Sequence, residues 1–175
     1  MIPRSPCSSP MGPLSTSPED DAMSFALDVL SRSAISRAGL GEKLERKGFD
    51  GRVAGGVLER LESMGYLDDE AFTRRWVGSH QDKKPSGRLL LERELLSKGI
   101  SQSVVDRVLG DQDVYDEGEA ARRACTTWMK RLGESEETPA KLARRLASHL
   151  AARGFDREAI ARAVSEVTGR EIVQA

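Results

Sequence analysis

Few residues in this chain could do chemistry, and each has a plainer use. Asp68 and Asp69 are adjacent carboxylates that could share acid–base work or hold a cation. Neighbouring residues at a helix start point in different directions, however, and an N-cap followed by a dipole-favoured acid accounts for both. His80 and His149 have no cysteine or second histidine near them, so neither has metal-ligand spacing and both are expected on helix surfaces or ends. Cys125 lies among Ala124, Thr126 and Thr127 without a partner histidine, which suits a small packing residue better than a nucleophile. Gly51, Gly55 and Gly56 spell neither a phosphate loop nor a dinucleotide fingerprint. The expectation is a protein with no catalytic residue, no metal and no cofactor, and so not an enzyme. Trp76 and Trp128 are read as packing residues rather than base-stacking platforms, since large aromatics at helical spacing usually turn inward.

Charge offers more than catalysis does. Lys plus Arg is 27 against 28 Asp plus Glu, a net charge of -1, which argues against a free-standing nucleic-acid binder on overall balance. Locally the picture changes. Lys83, Lys84, Arg88, Arg93 and Lys98 face only Glu92 and Glu94, for a net +3. From Pro139 to Arg170, Lys141, Arg144, Arg145, Arg153, Arg157, Arg162 and Arg170 face Asp156, Glu158 and Glu166, for a net +4. Between the two lies an acidic run of Asp111, Asp113, Asp116, Glu117 and Glu119. Alternating patches of this kind suit a charged partner, although a solvated helix face explains any single charge.

The elements that must carry these residues are helices. Hydrophobic residues are 38% and aromatics 5% of 175 residues, enough for small modules packed on neighbours rather than one large core. Residues 1–21 hold Pro3, Pro6, Pro10, Pro13 and Pro18 with five serines, and are expected to be a disordered tail. Beyond it, three segments repeat a pattern. Leucines stand eight and four residues before a glycine (Leu40, Leu44, Gly48; Leu91, Leu95, Gly99; Leu146, Leu150, Gly154), with Lys47, Lys98 or Arg153 directly before that glycine. The glycine can close a helix in the left-handed conformation. Next comes an apolar residue (Phe49, Ile100, Phe155), then an N-cap (Asp50, Ser101, Asp156), with Ala54, Val105 or Ile160 placed as a staple. A further helix precedes each corner, starting near Ala22, at Asp68 or Asp69, and near Asp116. Thr138 and Pro139 open the helix before the last corner.

The pattern predicts an all-α protein of three tandem three-helix, helix-turn-helix-like repeats over 22–64, 65–110 and 111–175, stacked into an elongated, curved array. Only Cys7 and Cys125 are present, no apolar stretch approaches a membrane span, and no secretory signal is legible, so a cytoplasmic protein is expected.

The segment Gly65, Tyr66, Leu67, Asp68, Asp69, Glu70, Ala71, Phe72, followed by Gly87, Leu91, Glu94, Leu95, Lys98, Gly99 and Ile100, resembles the RecX family of bacterial regulators. The resemblance runs from about Ala22 to Val167 and is strongest between Ser36 and Leu109. Gly39 before Leu40 and Thr73 after Phe72 depart from the family's usual Glu and Ala. Two glycines, Gly39 and Gly41, in one short helix each cost about 1 kcal/mol against alanine.

The resemblance implies tandem three-helix repeats and a role in DNA repair, homologous recombination and the SOS response. The implied action is negative regulation of the RecA recombinase by a monomer lying in the groove of the RecA–DNA filament, with inhibition of its recombinase, ATPase and coprotease activities. Beside the RecA filament, weak DNA contact is an open expectation, and no membrane partner is expected. A surface engaging many equivalent subunits gains avidity, with charge steering the docking. The residues expected on that face are Arg37, Lys43, Lys47, Lys83, Lys84, Arg88, Arg93, Arg144, Arg145 and Arg153. The competing expectation is a helix-turn-helix protein that binds DNA directly.

Overall fold

The corners are built alike. In the computed structural model, which describes residues 17–132 and 138–169, Gly48, Gly99 and Gly154 take φ of +100°, +75° and +77°. At each corner the glycine N–H donates to the carbonyl three residues back, and the next residue's N–H reaches the carbonyl of a buried leucine. Phe49 reaches Leu44 at 3.2 Å, Ile100 reaches Leu95 at 3.2 Å, and Phe155 reaches Leu150 at 3.3 Å. These bonds satisfy carbonyls that a helix end otherwise leaves bare. Asp50 and Asp156 then cap the next helix through the Arg52 and Ala159 amides. Ser101 holds the same position without a side-chain cap bond, its hydroxyl lying 3.1 Å from that of Ser103.

Nine helices follow among the described residues, with no strand: α1 Pro18–Arg32, α2 Arg37–Lys47, α3 Gly51–Ser63, α4 Asp69–Lys83, α5 Arg88–Ser97, α6 Gln102–Leu109, α7 Glu117–Leu132, α8 Pro139–Ala152 and α9 Arg157–Thr168. In each triplet the first helix packs on the third: α1 on α3, α4 on α6, α7 on α9. The fold is therefore an all-α array of three-helix repeats. None of the described helices is long and apolar enough to cross a membrane.

One expectation needs correcting. Residues 18–21, assigned to the disordered tail, form the first turn of α1. Ser17 accepts from the Asp20 amide while the Asp20 carboxylate reaches back to Ser17, and Pro18 occupies the first helical position. A reciprocal cap plus a proline with preset φ starts a helix from polar residues alone. Residues 1–16 of that tail lie outside the described residues.

The chain divides into two compact units. Unit 1 takes in α1, α3 and α2 from Leu40 onward; unit 2 takes in Ile35–Gly39 and everything from Leu67. Unit 1 buries Ala22, Ala26, Leu40, Leu44, Ala54, Val57 and Leu61. In unit 2 the second and third repeats share one core, running from Val77, Leu91 and Leu95 through Val105 and Val108 to Leu146, Leu150, Phe155 and Val164.

The tightest point of unit 2 is a backbone crossing. Gly87, at the start of α5, donates its N–H to Arg153 O at 2.9 Å, and Leu89 N–H reaches Gly154 O at 3.1 Å. A Cβ on Gly87 would sit 2.2 Å from the Gly154 carbonyl and the Phe155 nitrogen, and one on Gly154 would sit 2.5 Å from the Leu90 nitrogen. Gly87 has φ of -75°, so what demands glycine there is contact and not conformation. Gly99 stands against Ala38 in the same way, where an added Cβ would meet the Ala38 Cβ at 2.2 Å.

Gly87→Ala is therefore expected to destabilise unit 2 by about 3 kcal/mol or more, because backbone cannot rotate out of the way. Gly78→Ala, on the exposed side of α4 with nothing within 4 Å, is expected to gain about 0.5–1 kcal/mol. Urea unfolding followed by Trp76 and Trp128 fluorescence, both tryptophans lying in unit 2, checks the pair.

Candidate functional site

Ten basic residues were expected to form one face, and the structure gathers half of them around Trp128. Lys83, Lys84 and Arg153 line a cavity of about 190 Å³ with Pro85, Ala124, Thr127, Trp128, Arg131 and His149. Arg144 and Arg145 line a more open cavity beside it, with Trp128, Lys141, Ser148 and His149. Trp128 and His149 belong to both.

The others have different surroundings. The Arg88 backbone N–H is capped by Glu117 at 3.1 Å, and its guanidinium donates to Leu109 O at 2.9 Å, so it ties α5 to the end of α6. The Arg37 N–H is capped by Asp69 at 2.8 Å. Lys47 lies over the Phe25 ring at 5.8 Å within unit 1, where Lys43 is half-buried; Arg93 is exposed on α5.

Three elements build the cavity. Ala124, Thr127, Trp128 and Arg131 follow one stripe of α7, and His149 and Arg153 stand one turn apart at the end of α8. Lys83 and Lys84 end α4, and the strap after them is pinned by buried polar groups. Gln81 Nε2–H donates to Ser86 O at 2.8 Å, Ser86 N–H donates back to Gln81 Oε1, and the Tyr115 hydroxyl donates to Ser86 O at 3.1 Å. Arg153 donates Nε–H to Pro85 O at 2.8 Å, while its Nη2 is buried with no hydrogen-bond partner among the described residues.

Four cations line the smaller cavity, and no carboxylate lines either one among the described residues. Residues 133–137, with Glu134, Glu136 and Glu137, lie outside the described residues. Two groups register the crowding of positive charge. Burial, then the charges of Arg153 and Arg131, holds His149 below the ordinary histidine range. Burial and the Arg131 charge also lower Arg153. Trp128 sits between the His149 ring at 5.9 Å and the Arg145 guanidinium at 5.2 Å.

Comparison with known proteins places this geometry in a lineage. Residues 22–61 match the description "RecX, first three-helix domain" and residues 68–109 match "RecX, second three-helix domain". The chain is 33% identical over 150 residues to "Regulatory protein RecX" of Chlorobium phaeobacteroides (strain BS1), covering 85% of this chain and 95% of that protein. The chain belongs to the RecX family. A RecX of Mycobacterium sp. (strain KMS) is 35% identical over 139 residues, covering 78% of this chain and 76% of the other. The crystal structure of RecX from Lactobacillus salivarius superimposes with a TM-score of 0.77 at 16% identity, covering 87% of this chain and 98% of that one, which supports the fold.

The residues that carried the RecX resemblance have structural surroundings here. Gly65 turns α3 into α4 at φ of +74°, beside exposed Tyr66, and Leu67 is buried. Asp68 caps α4 through the Ala71 amide, whereas Asp69 caps α2. Phe72 packs against the shared core. Glu94 lies 3.7 Å from His80, and Lys98 lies over Trp76 at 5.6 Å while its carbonyl accepts from the Ser36 hydroxyl. Thr73, where relatives were expected to carry Ala, is buried with its hydroxyl on Asp69 O.

The acidic run needs a different reading from a partner-facing patch. Asp111 pairs with Arg74 at 2.8 Å, Asp116 caps Glu119 N–H, Glu119 pairs with Arg122, and Glu117 accepts from the Arg88 and Asp156 amides. Most of its charge is used within unit 2. Arg131 and the cavity-lining side of Trp128 were not among the expected face residues, and Lys141 was counted only in the local charge. Arg131 stands seven residues after Ala124 and three after Trp128, so a helical projection of α7 would have found it. Burial pushes the Cys125 thiol to about 11, leaving almost no thiolate at neutral pH.

His149 is expected to titrate below about 6.5, read from its imidazole proton signal in NMR against a His149→Phe variant. A histidine depressed in the folded state binds its proton more readily when unfolded, so its contribution to stability falls as pH drops through about 6.5 toward the folded value. Arg131→Ala is expected to raise the His149 pKa, since it removes one of the lowering charges.

Proposed function

We propose that this RecX-family chain is a negative regulator of the RecA recombinase that binds as a monomer in the groove of the RecA–DNA filament. It inhibits the filament's recombinase, ATPase and coprotease activities by occupancy, and not through chemistry of its own. What supports the reading is the relationship to proteins named as RecX regulators along 85% of this chain. The repeat architecture agrees with it: three modules of one design suit a polymer of repeated subunits, where several weak contacts add through effective concentration. Lys83, Lys84, Arg144, Arg145 and Arg153 are the residues assigned to the docking face, because they gather in unit 2 around Trp128. Arg88 is better read as a structural arginine. The setting is the cytoplasm, where two cysteines would stay reduced.

The test is a pull-down of RecA by the full chain, with and without DNA and a non-hydrolysed nucleotide. Enrichment is expected only on assembled filament, and inhibition of ATP turnover should follow stoichiometry rather than time. Equal affinity for bare duplex and for filament would replace this reading with direct DNA binding, marked by a steep fall with salt. Failure to bind RecA in any state would end it.

A further inference from the structure

In unit 2 the end of one helix is twice closed by the start of another. At the end of α5, Lys98 O accepts from the Ser36 hydroxyl, and a Cβ on Gly99 would lie 2.2 Å from that of Ala38. At the end of α8, Arg153 O accepts from the Gly87 N–H and Gly154 O from the Leu89 N–H. A Cβ on Gly154 would lie 2.5 Å from the Leu90 nitrogen. Both joints therefore seat a helix start on a corner glycine, with a corner carbonyl taking one of its donors. Helix starts carry unpaired N–H groups, and the negative end of one helix dipole here meets the positive end of the next.

The end of α2 has the same parts and no helix start against it. Lys47 lies over the Phe25 ring at 5.8 Å, as Lys98 lies over Trp76 at 5.6 Å, and each aromatic precedes its corner glycine by 23 residues. Gly48 is left-handed like Gly99 and Gly154, yet a Cβ on it would meet nothing within 4 Å among the described residues. No donor reaches Lys47 O among them either. The apolar residue after the glycine registers the difference: Ile100 and Phe155 are 2% and 3% exposed, whereas Phe49 is only half-buried. The end of a repeat array ordinarily closes with polar groups, and this one leaves a shaped, partly apolar corner open.

We propose that the corner at the end of α2 docks the first turn of a helix belonging to a partner protein. The occupant follows from the two joints already filled. It brings a helix N–H or an N-cap hydroxyl to Lys47 O, and a small residue or bare backbone to Gly48. A second copy of this chain does not supply that plug. Ser36 and Gly87 each stand 12 residues before the corner glycine of their own repeat, and the third repeat has Leu142 there. Because α8 begins one turn earlier, the Leu142 N–H is already given to Thr138 O inside the helix. The partner is therefore a different protein, and the assignment rests on the filament reading in placing that helix on a RecA subunit. It adds a contact in unit 1 to the basic residues of unit 2, which suits a chain that binds through several weak joints.

The test titrates the full chain onto assembled RecA filament and compares variants of the corner. Gly48→Asn puts a side chain where Gly99 and Gly154 can carry none, and asparagine is the usual substitute for glycine in the left-handed backbone. Its filament affinity is expected to fall about tenfold, the effect of losing one packed contact. Gly56→Ala, on an exposed glycine of α3 with nothing within 4 Å, should bind as the wild-type chain does. Melting followed by circular dichroism separates lost docking from lost folding. A photo-cross-linking benzophenone amino acid in place of Lys47 gives a second reading, which decides the matter if Gly48→Asn fails to fold. Its cross-link is expected in the first turn of a RecA helix. Undiminished filament affinity in folded Gly48→Asn overturns the proposal. So does a filament-bound chain that gives no cross-link, or one to a strand, a loop or the middle of a helix of RecA, to DNA, or to a second copy of this chain. All of these outcomes leave the filament reading standing, whereas a wild-type chain that binds RecA in no state removes both.

Discussion

Unit 2 depends on one contact between two stretches of backbone. Gly87 and Gly154 approach so closely that neither can carry a β-carbon, and two hydrogen bonds, to Arg153 O and Gly154 O, hold them there. A backbone crossing differs from side-chain packing in having no rotamers with which to absorb error. It fixes where α5 begins relative to where α8 ends. Everything at the candidate site follows from that register: Arg153 is the residue before the crossing glycine, and the Lys84–Pro85–Ser86 strap is the chain just before Gly87. Bringing those two stretches together puts Arg153 Nε on Pro85 O and sets the α4 lysines beside the end of α8.

Polar groups enforce the same register from the side. Asp69 and Glu117 each open the first helix of a repeat, and each caps the arginine amide that opens the second helix of the repeat before, at Arg37 and Arg88. Glu117 also takes the Asp156 amide, and half-burial raises its pKa although both hydrogen bonds favour the charged form. Such acids hold two helix starts at once, which a hydrophobic contact could not do with the same directionality. This use of acids explains the charge pattern of the surface. The acids of unit 2 are largely spent on helix starts and on Arg74 and Arg122, while the lysines and arginines around Trp128 have no described carboxylate lining their cavities.

The corners were legible in the sequence because each rests on local chemistry. A glycine that must be left-handed, an apolar neighbour and an N-cap occupy consecutive positions, so three copies could be matched without knowing any long-range contact. The helix starts at Asp68, Asp116 and Thr138 were legible for the same reason. The start of α1 was missed because proline and serine richness was read as disorder, although Ser17, Pro18 and Asp20 form a complete start signal. The second roles of Asp69 and Glu117 could not be read: local spacing explains Asp69 as a helix-start acid, and nothing in spacing says that it reaches Arg37. Gly87 was noticed through the family resemblance alone, since its reason lies 67 residues away in Gly154.

The site shows the same division. Lys83 with Lys84, and Arg144 with Arg145, stand out as adjacent bases, and both pairs line cavities at Trp128. Arg88 stands out equally in sequence yet is turned toward the α6 carbonyl at Leu109. What separates them is the position of each on its helix. Lys83 and Lys84 end α4, and Arg144 and Arg145 lie on exposed turns of α8, where a long side chain can reach solvent. Arg88 opens α5 at the Gly87 crossing, where the free carbonyls of the α6 end are the nearest acceptors. Of the two arginines beside the crossing, Arg88 is drawn onto the α6 end, while Arg153 holds Pro85 O and still lines the cavity at Trp128. The glycine contact that orders unit 2 therefore also fixes where both of these arginines stand.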